Sequence, residues 1–188
     1  MLMAVTPEEP VSWDGALIER ARRGETRAFE RLYRDNVGRV YGLCLRMTRD
    51  VAQAEDCVQE TFINAWKGLS SFETRSSLST WLHRIAVNVV LAKRRRVTPP
   101  VQSLDENPDA ATEEWTFETP VEVEEIETAI HGLPEGARDV LVLCALYGYS
   151  HGEAASMLGV AEGTCKAQLH RARPIWRSEE RRVGKECR

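Results

Sequence analysis

The stretch Glu55-Asp56-Cys57-Val58-Gln59-Glu60-Thr61-Phe62-Ile63-Asn64-Ala65-Trp66 decides the fold of this chain. Val58, Phe62 and Ala65 recur at helical spacing, and Asp56, Glu60, Asn64 and Lys67 fall on a different face. The pattern predicts an amphipathic helix with an apolar back and a polar front. After a short loop, Gly68 to Ser77, a second helix is expected, with Leu78, Trp81, Leu82, Ile85, Ala86, Val89 and Val90 forming one apolar stripe. It ends in Lys93-Arg94-Arg95-Arg96.

That second helix and its loop carry the chemistry that nucleic acid requires. Cations release counterions from phosphates, and short polar or aromatic side chains hold an unstacked base. Phe72, Ser76, Ser77 and Asn88 supply the second kind of group, while Arg75, Arg84 and the terminal cations supply the first. Taken alone, a basic helix end equally suits a solvated terminus that complements the helix dipole.

Working outward, Asp14 is placed to cap a short helix through Arg23, with Leu17, Ile18 and Ala21 inward and Gly24 as its stop. Glu25 to Arg49 reads as a long helix, with Asn36 to Gly38 as the place for a bend. These elements make a compact four-helix unit over 14–96. Met1 to Trp13 reads as a loose tail.

Residues 97–120 change character. Their prolines (Pro99, Pro100, Pro108, Pro120) and unopposed acids predict an extended linker. Charge follows the same division: 14–96 hold 16 cations against 10 acids, whereas 97–127 hold 10 acids and no cation. The net charge of −4 therefore hides a basic amino-terminal block behind an acidic middle.

Periodicity returns over 121–177. Val123, Ile126, Ile130 and Leu133 suit a helix ending at Gly132. Pro134 opens the next in the first turn, where proline is tolerated, and Gly148 stops it after Tyr147. Ser150-His151-Gly152-Glu153 is a capping box, and Ala154, Ala155 and Leu158 make a small-residue inner face. Gly159 and Val160 turn the chain into a helix over 163–173, with Cys165, Leu169 and Ala172 inward. Helix, glycine turn and helix with outward cations is a helix-turn-helix pattern whose second member enters the major groove. Lys166, Ala167, His170 and Arg171 face outward, with Lys166, His170 and Arg171 suited to base edges; Thr164 and Arg173 suit phosphates.

Cys44, Cys57, Cys144, Cys165 and Cys187 are odd in number and form no Cys-x-x-Cys pair, which predicts reduced thiols in a cytoplasmic protein. His83, His131, His151 and His170 lack metal-ligand spacing, so no metal or cofactor is implied. No apolar run suits membrane insertion, and the acidic start is unlike a signal peptide.

Both informative stretches resemble one family. Asp56-Cys57-Val58-Gln59-Glu60-Thr61-Phe62 with Ala65-Trp66, Thr80-Trp81-Leu82-His83-Arg84-Ile85-Ala86-Val87-Asn88, Leu133-Pro134 and Gly163-Thr164-Cys165-Lys166 are similar to bacterial sigma factors of the extracytoplasmic-function group. The resemblance implies an all-α, two-domain protein: a four-helix region 2 domain over 14–96, an acidic flexible linker over 97–120, and a helix-turn-helix region 4 domain over 121–177. It implies an alternative sigma factor with no enzymatic activity and no cofactor. Its partners would be core RNA polymerase, promoter DNA and an anti-sigma factor.

By the same resemblance, Asp56, Gln59, Glu60 and Asn64 face the clamp helices of the largest polymerase subunit, with the flap as a further contact. Phe72, Arg75, Ser76, Ser77, Arg84, Asn88, Lys93, Arg94, Arg95 and Arg96 serve the minus-ten element. Thr164, Lys166, Ala167, His170, Arg171 and Arg173 serve the minus-thirty-five element. Ala161 stands where the family has a capping serine or a proline, which predicts fraying of the second helix. Pro174 interrupts a helix that the family continues, and 178–188, without a helical stripe, reads as a non-native tail.

Two other readings fit parts of the chain. A stand-alone dimeric helix-turn-helix repressor needs an apolar seam, which the polar face at Asp56, Gln59, Glu60 and Asn64 does not offer. An enzyme with Asp56 and Glu60 as paired carboxylates lacks a neighbouring histidine, metal ligand or phosphate loop.

Overall fold

The computed structural model describes residues 15–72, 76–97, 130 and 132–170. Residues 1–14, nearly all of the acidic linker and the helix expected to follow it, Arg75, Arg171, Arg173, Pro174 and the tail 178–188 lie outside the described residues. Those described form an all-α fold, without a strand among them.

Helix α1 spans Gly15–Arg22 and buries Ile18 and Ala21. Gly24, at φ 88°, takes the left-handed conformation that ends it. Helix α2 spans Thr26–Thr48 without interruption and buries Ala28, Leu32, Asn36, Val40, Leu43, Cys44 and Met47. Asn36, where a bend is expected, sits inside the helix and donates from Nδ2 to the Leu32 carbonyl at 2.7 Å. A buried amide is thereby satisfied within its own helix.

Arg49, at φ 60°, closes α2, and Asp50 caps α3 by accepting from the Gln53 amide at 2.8 Å. Two residues thus suffice to reverse the chain. Helix α3, Val51–Gly68, buries Ala54, Cys57, Val58, Thr61, Phe62 and Ala65 against α2, the face that the apolar spacing predicts. A 3-10 turn, Leu69–Ser71, follows and puts Leu69 into the core. Helix α4, Leu78–Val97, starts at Ser77, whose hydroxyl accepts from the Thr80 amide at 3.1 Å.

The carboxy-terminal helices begin at Pro134, which occupies the cap position one residue before α5, Glu135–Leu141. A wide π turn, Val142–Leu146, continues α5, and the Tyr147 amide donates to the Val142 carbonyl at 3.2 Å. Helix α6, His151–Leu158, has the expected capping box: the Ser150 amide donates to Glu153 at 2.9 Å and the Glu153 amide to the Ser150 hydroxyl at 3.3 Å. Gly159, at φ 69°, turns the chain into α7, residues 162–170. Ala161 offers no side-chain cap, but its carbonyl accepts from Thr164 and Cys165, so α7 starts on backbone bonds alone.

The carboxy-terminal helices pack directly on the amino-terminal ones. Helix α4 lies against α6, and α2 touches both α5 and the π turn. His83, Val87 and Arg94 share one face of α4 by helical spacing, and His83 and Val87 are buried there. Leu82, Ala86 and Val89 fill the face turned to α2 and α3.

Candidate nucleic-acid interface

The four residues assigned to polymerase lie on one side of α3. Asp56, Gln59 and Asn64 are exposed and Glu60 is half-exposed. Lys93 reaches across from α4, with its ammonium 3.9 Å from Asp56 and 3.7 Å from Glu60. This cation thereby neutralises part of the acidic face. Pairs this exposed contribute little to stability.

Beside the acids runs an exposed apolar strip that sequence reasoning missed. Tyr33, Ile63 and Trp66 retain 39%, 52% and 41% of their surface, although large apolar groups normally seek the core. Phe29 meets Trp66 edge-on at 4.7 Å, and Tyr33 meets Phe62 in the same way at 4.7 Å. The signal was present: Gln59, Ile63 and Trp66 fall at i, i+4 and i+7, off the core stripe.

In the loop before α4, Phe72 is buried at 2% exposure with its ring 5.0 Å from Trp81. Ser77 is occupied in capping, with its hydroxyl also 2.8 Å from that of Thr80, and Ser76 is partly open.

On α4, Arg84, Asn88 and Arg95 form an exposed stripe by their spacing, and Arg96 is exposed beside it. Arg94 lies one step around the helix and is committed elsewhere. Its guanidinium donates to both Asp139 oxygens, at 2.6 and 3.1 Å, and to the Met47 carbonyl. Burial pushes the Asp139 carboxyl above its ordinary range, and Arg94 pulls the other way.

Nearby, His83 Nδ1 and the Tyr149 hydroxyl share a hydrogen bond at 2.7 Å, and the Tyr147 ring stands edge-on at 4.9 Å. Burial, with Arg39 adding repulsion, lowers the His83 pKa to about 4. The imidazole is therefore neutral at physiological pH.

In the helix-turn-helix, Cys165 and Leu169 are buried as expected. Thr164, Lys166 and Ala167 are partly open and His170 is exposed. Lys166 pairs with Glu162 at 2.9 Å across one turn, which holds the Glu162 carboxyl below its usual range. Among the described residues the exposed cations gather on α4, whereas α7 carries Lys166, paired with Glu162, and the exposed His170. No His, Cys, Asp and Glu cluster among the described residues could hold a metal ion, and no helix among them is long and apolar enough to cross a membrane.

Comparison with known proteins places both parts of the chain in one family. Residues 32–98 match the Sigma-70 region 2 family and residues 123–173 match Sigma-70, region 4. The chain is 33% identical to the RNA polymerase sigma-H factor of Pseudomonas aeruginosa, covering 85% of this chain and 90% of that protein. It is 34% identical to the extracytoplasmic-function sigma factor SigM of Mycobacterium tuberculosis, covering 85% and 81%. The solved structure of the sigma factor RpoE with the anti-sigma factor NepR from Bartonella quintana is similar at a TM-score of 0.61 and 25% identity, covering 81% of this chain and 96% of that one. None of these relatives supports a stand-alone repressor. The chain belongs to the extracytoplasmic-function group of RNA polymerase sigma factors and acts as an alternative sigma factor in promoter-specific transcription initiation.

Proposed function

We propose that α3 docks this chain on the clamp helices of core RNA polymerase in the cytoplasm, through Asp56, Gln59, Glu60 and Asn64 together with the apolar strip Tyr33, Ile63 and Trp66. The single observation that carries this is the juxtaposition on α3 of exposed acids and exposed aromatic surface, next to a helix that presents Arg84, Asn88 and Arg95. Acids steer and apolar anchors supply affinity, the usual division of labour in an interface.

In this reading residues 14–96 serve polymerase and the minus-ten element, 121–177 read the minus-thirty-five element through α7, and the acidic segment between them joins the two. The chain does no covalent chemistry. Its work is to stabilise an opened base pair, which costs a few kcal/mol that a pocket selective for the extruded base offsets. An anti-sigma protein, the kind of partner present with the Bartonella relative, is the proposed inhibitor.

Run-off transcription with purified core polymerase tests the assignment. Asp56→Lys should abolish retention on polymerase, and Lys166→Ala should weaken the upstream element by about 1 to 3 kcal/mol. Unchanged retention and unchanged promoter choice in these two variants would refute it.

A further inference from the structure

The hairpin of α2 and α3 places two thiols face to face. Arg49 and Asp50 reverse the chain in two residues, so side chains equally far from that turn stand at the same level of the two packed helices. By this register the buried residues pair Met47 with Ala54, Cys44 with Cys57 and Leu43 with Val58. Cys44 and Cys57 are both free thiols closed to solvent, and they are hydrogen-bonded to each other.

The span suits a covalent bond. Cα atoms lie about 2.3 Å from a helix axis and packed axes run about 8 to 10 Å apart, so facing Cα atoms on closely packed helices fall in the range of about 4.4 to 6.8 Å that a disulfide bridges. Ala54 and the two small cysteines favour close approach next to the turn.

Charge makes one of the two sulfurs the nucleophile. The hydrogen bond that Cys44 donates to Cys57 raises the Cys44 pKa, and burial raises it further. The same bond lowers the Cys57 pKa; burial opposes it, the Lys93 ammonium lowers it again, and Glu60 and Asp56 push back. A thiolate supported by a donor and a lysine is the reactive form of cysteine. The cover over the pair is thin: Lys93, Glu60 and Asp56, whose charges reach Cys57, are surface side chains, and the lysine holds the acids only at 3.7 and 3.9 Å. Side chains of this kind change rotamer within nanoseconds, which admits a molecule as small as hydrogen peroxide. Cys144 and Cys165 lack this setting. Burial pushes each thiol up to about 11, and the neighbouring Glu153 and Glu162 carboxylates add to the rise.

We propose that Cys44 and Cys57 are a modification site for hydroperoxides, a dithiol that closes to a reversible disulfide and ties α2 to α3 beneath the polymerase-docking face. The Cys57 thiolate attacks one peroxide oxygen and the O–O bond breaks. Cys57 becomes a sulfenic acid, and the hydroxide that leaves takes the Cys44 proton to form water. The Cys44 thiolate then attacks the Cys57 sulfur; the S–S bond forms, the S–O bond breaks, and the departing hydroxide is protonated from solvent to give a second water. Two electrons pass from the sulfurs to the peroxide oxygens. A dithiol reductant reverses the bond by exchange, so the reduced pair is the resting state.

Closing the bond draws the sulfurs from hydrogen-bond contact to about 2.0 Å. Cys57 adjoins Asp56 and lies one turn from Glu60, so both carboxylates shift with it. The effect on polymerase rests on the docking assignment above, whereas the thiol chemistry does not.

Treating the full chain with hydrogen peroxide, mapping its disulfides by peptide mass spectrometry without reduction, and then measuring retention on core polymerase tests both parts. A Cys44–Cys57 link should appear, and affinity for polymerase should fall about tenfold, the loss of one good interfacial contact, and return with dithiothreitol. Cys44→Ala should stay unlinked and instead hold a sulfenic acid at Cys57 that dimedone traps. Unmodified thiols at both positions, or a link between Cys144 and Cys165 in preference, would overturn the site. A Cys44–Cys57 link that leaves retention unchanged would overturn its effect on docking. If the link forms but the reduced chain itself does not bind polymerase, the docking assignment and the effect on it fall together, and the thiol site stands.

Discussion

The interior of α2, α3 and α4 and the seam between α4 and the carboxy-terminal helices belong to one continuous hydrophobic cluster, yet they differ in the polar groups laid over it. The first is filled by Leu43, Met47, Val58, Phe62, Leu82 and Ala86, and its buried Asn36 and Thr61 bond within their own helices. The second holds an arginine–carboxylate pair, an unprotonated histidine and a second arginine. Apolar burial cannot be recovered on separation, whereas buried charge is partly repaid by hydration. The two contacts therefore share an apolar base and differ in the buried polar pairs that only the second carries.

Leu43→Ala should draw this contrast most sharply. Leu43 is fully buried on α2, and such truncations cost about 2 to 5 kcal/mol. Urea denaturation followed by circular dichroism should show the amino-terminal helices losing stability as a unit, an effect that Asp139→Ala should not reproduce there. Equal losses from both substitutions would erase the distinction.

Acid should come next, and it should act on the seam alone. His83 has its pKa lowered to about 4 in the folded chain, from an ordinary 6.5, so its contribution is fully present above pH 6.5 and is lost as pH falls towards 4. At 1.36 kcal/mol per unit the full loss is about 3 kcal/mol. The groups facing it are Tyr147, Tyr149 and Arg39. Asp139 opposes the trend, because burial raises its carboxyl and favours the contact as pH falls. Scattering between pH 7.5 and 4.5 should show expansion in the wild type and a flatter response in His83→Phe.

The smallest effect belongs to the helix-turn-helix by itself. Ser150→Ala removes the capping hydroxyl and should cost about 1 kcal/mol, seen as faster amide exchange in the first turn of α6. Leaving the seam intact, it should not change the compactness of the chain.

Much of the architecture is legible along the sequence because it depends on neighbours a few residues apart. Val58, Phe62 and Ala65 announce the buried face of α3, Gly24 and Gly159 mark helix ends, and Ser150 with Glu153 marks a helix start. What escapes is whatever the far part of the chain supplies. Val87 adjoins Ala86 on the helix, so α4 is apolar around more than one face, the signature of a helix covered twice. Read locally, Arg94 is simply one of four consecutive cations. Only a carboxylate 45 positions away separates it from Arg95 and Arg96, which remain exposed. Likewise Phe72 reads as a loop aromatic, and its packing on Trp81 is a contact with a residue of the next helix.

The π turn at Val142–Leu146 decides which way the aromatic half of the seam points. Such a turn accommodates one residue more than the α-helical repeat, and each residue advances the helix by about 100°. Deleting a single residue there would leave a regular helix behind it, yet swing Tyr147 and Tyr149 away from Arg39 and His83. The placing of these two rings is thus written in the pitch of one helical turn, and a change of one codon in length, with no loss of chemistry, would be enough to break their contacts.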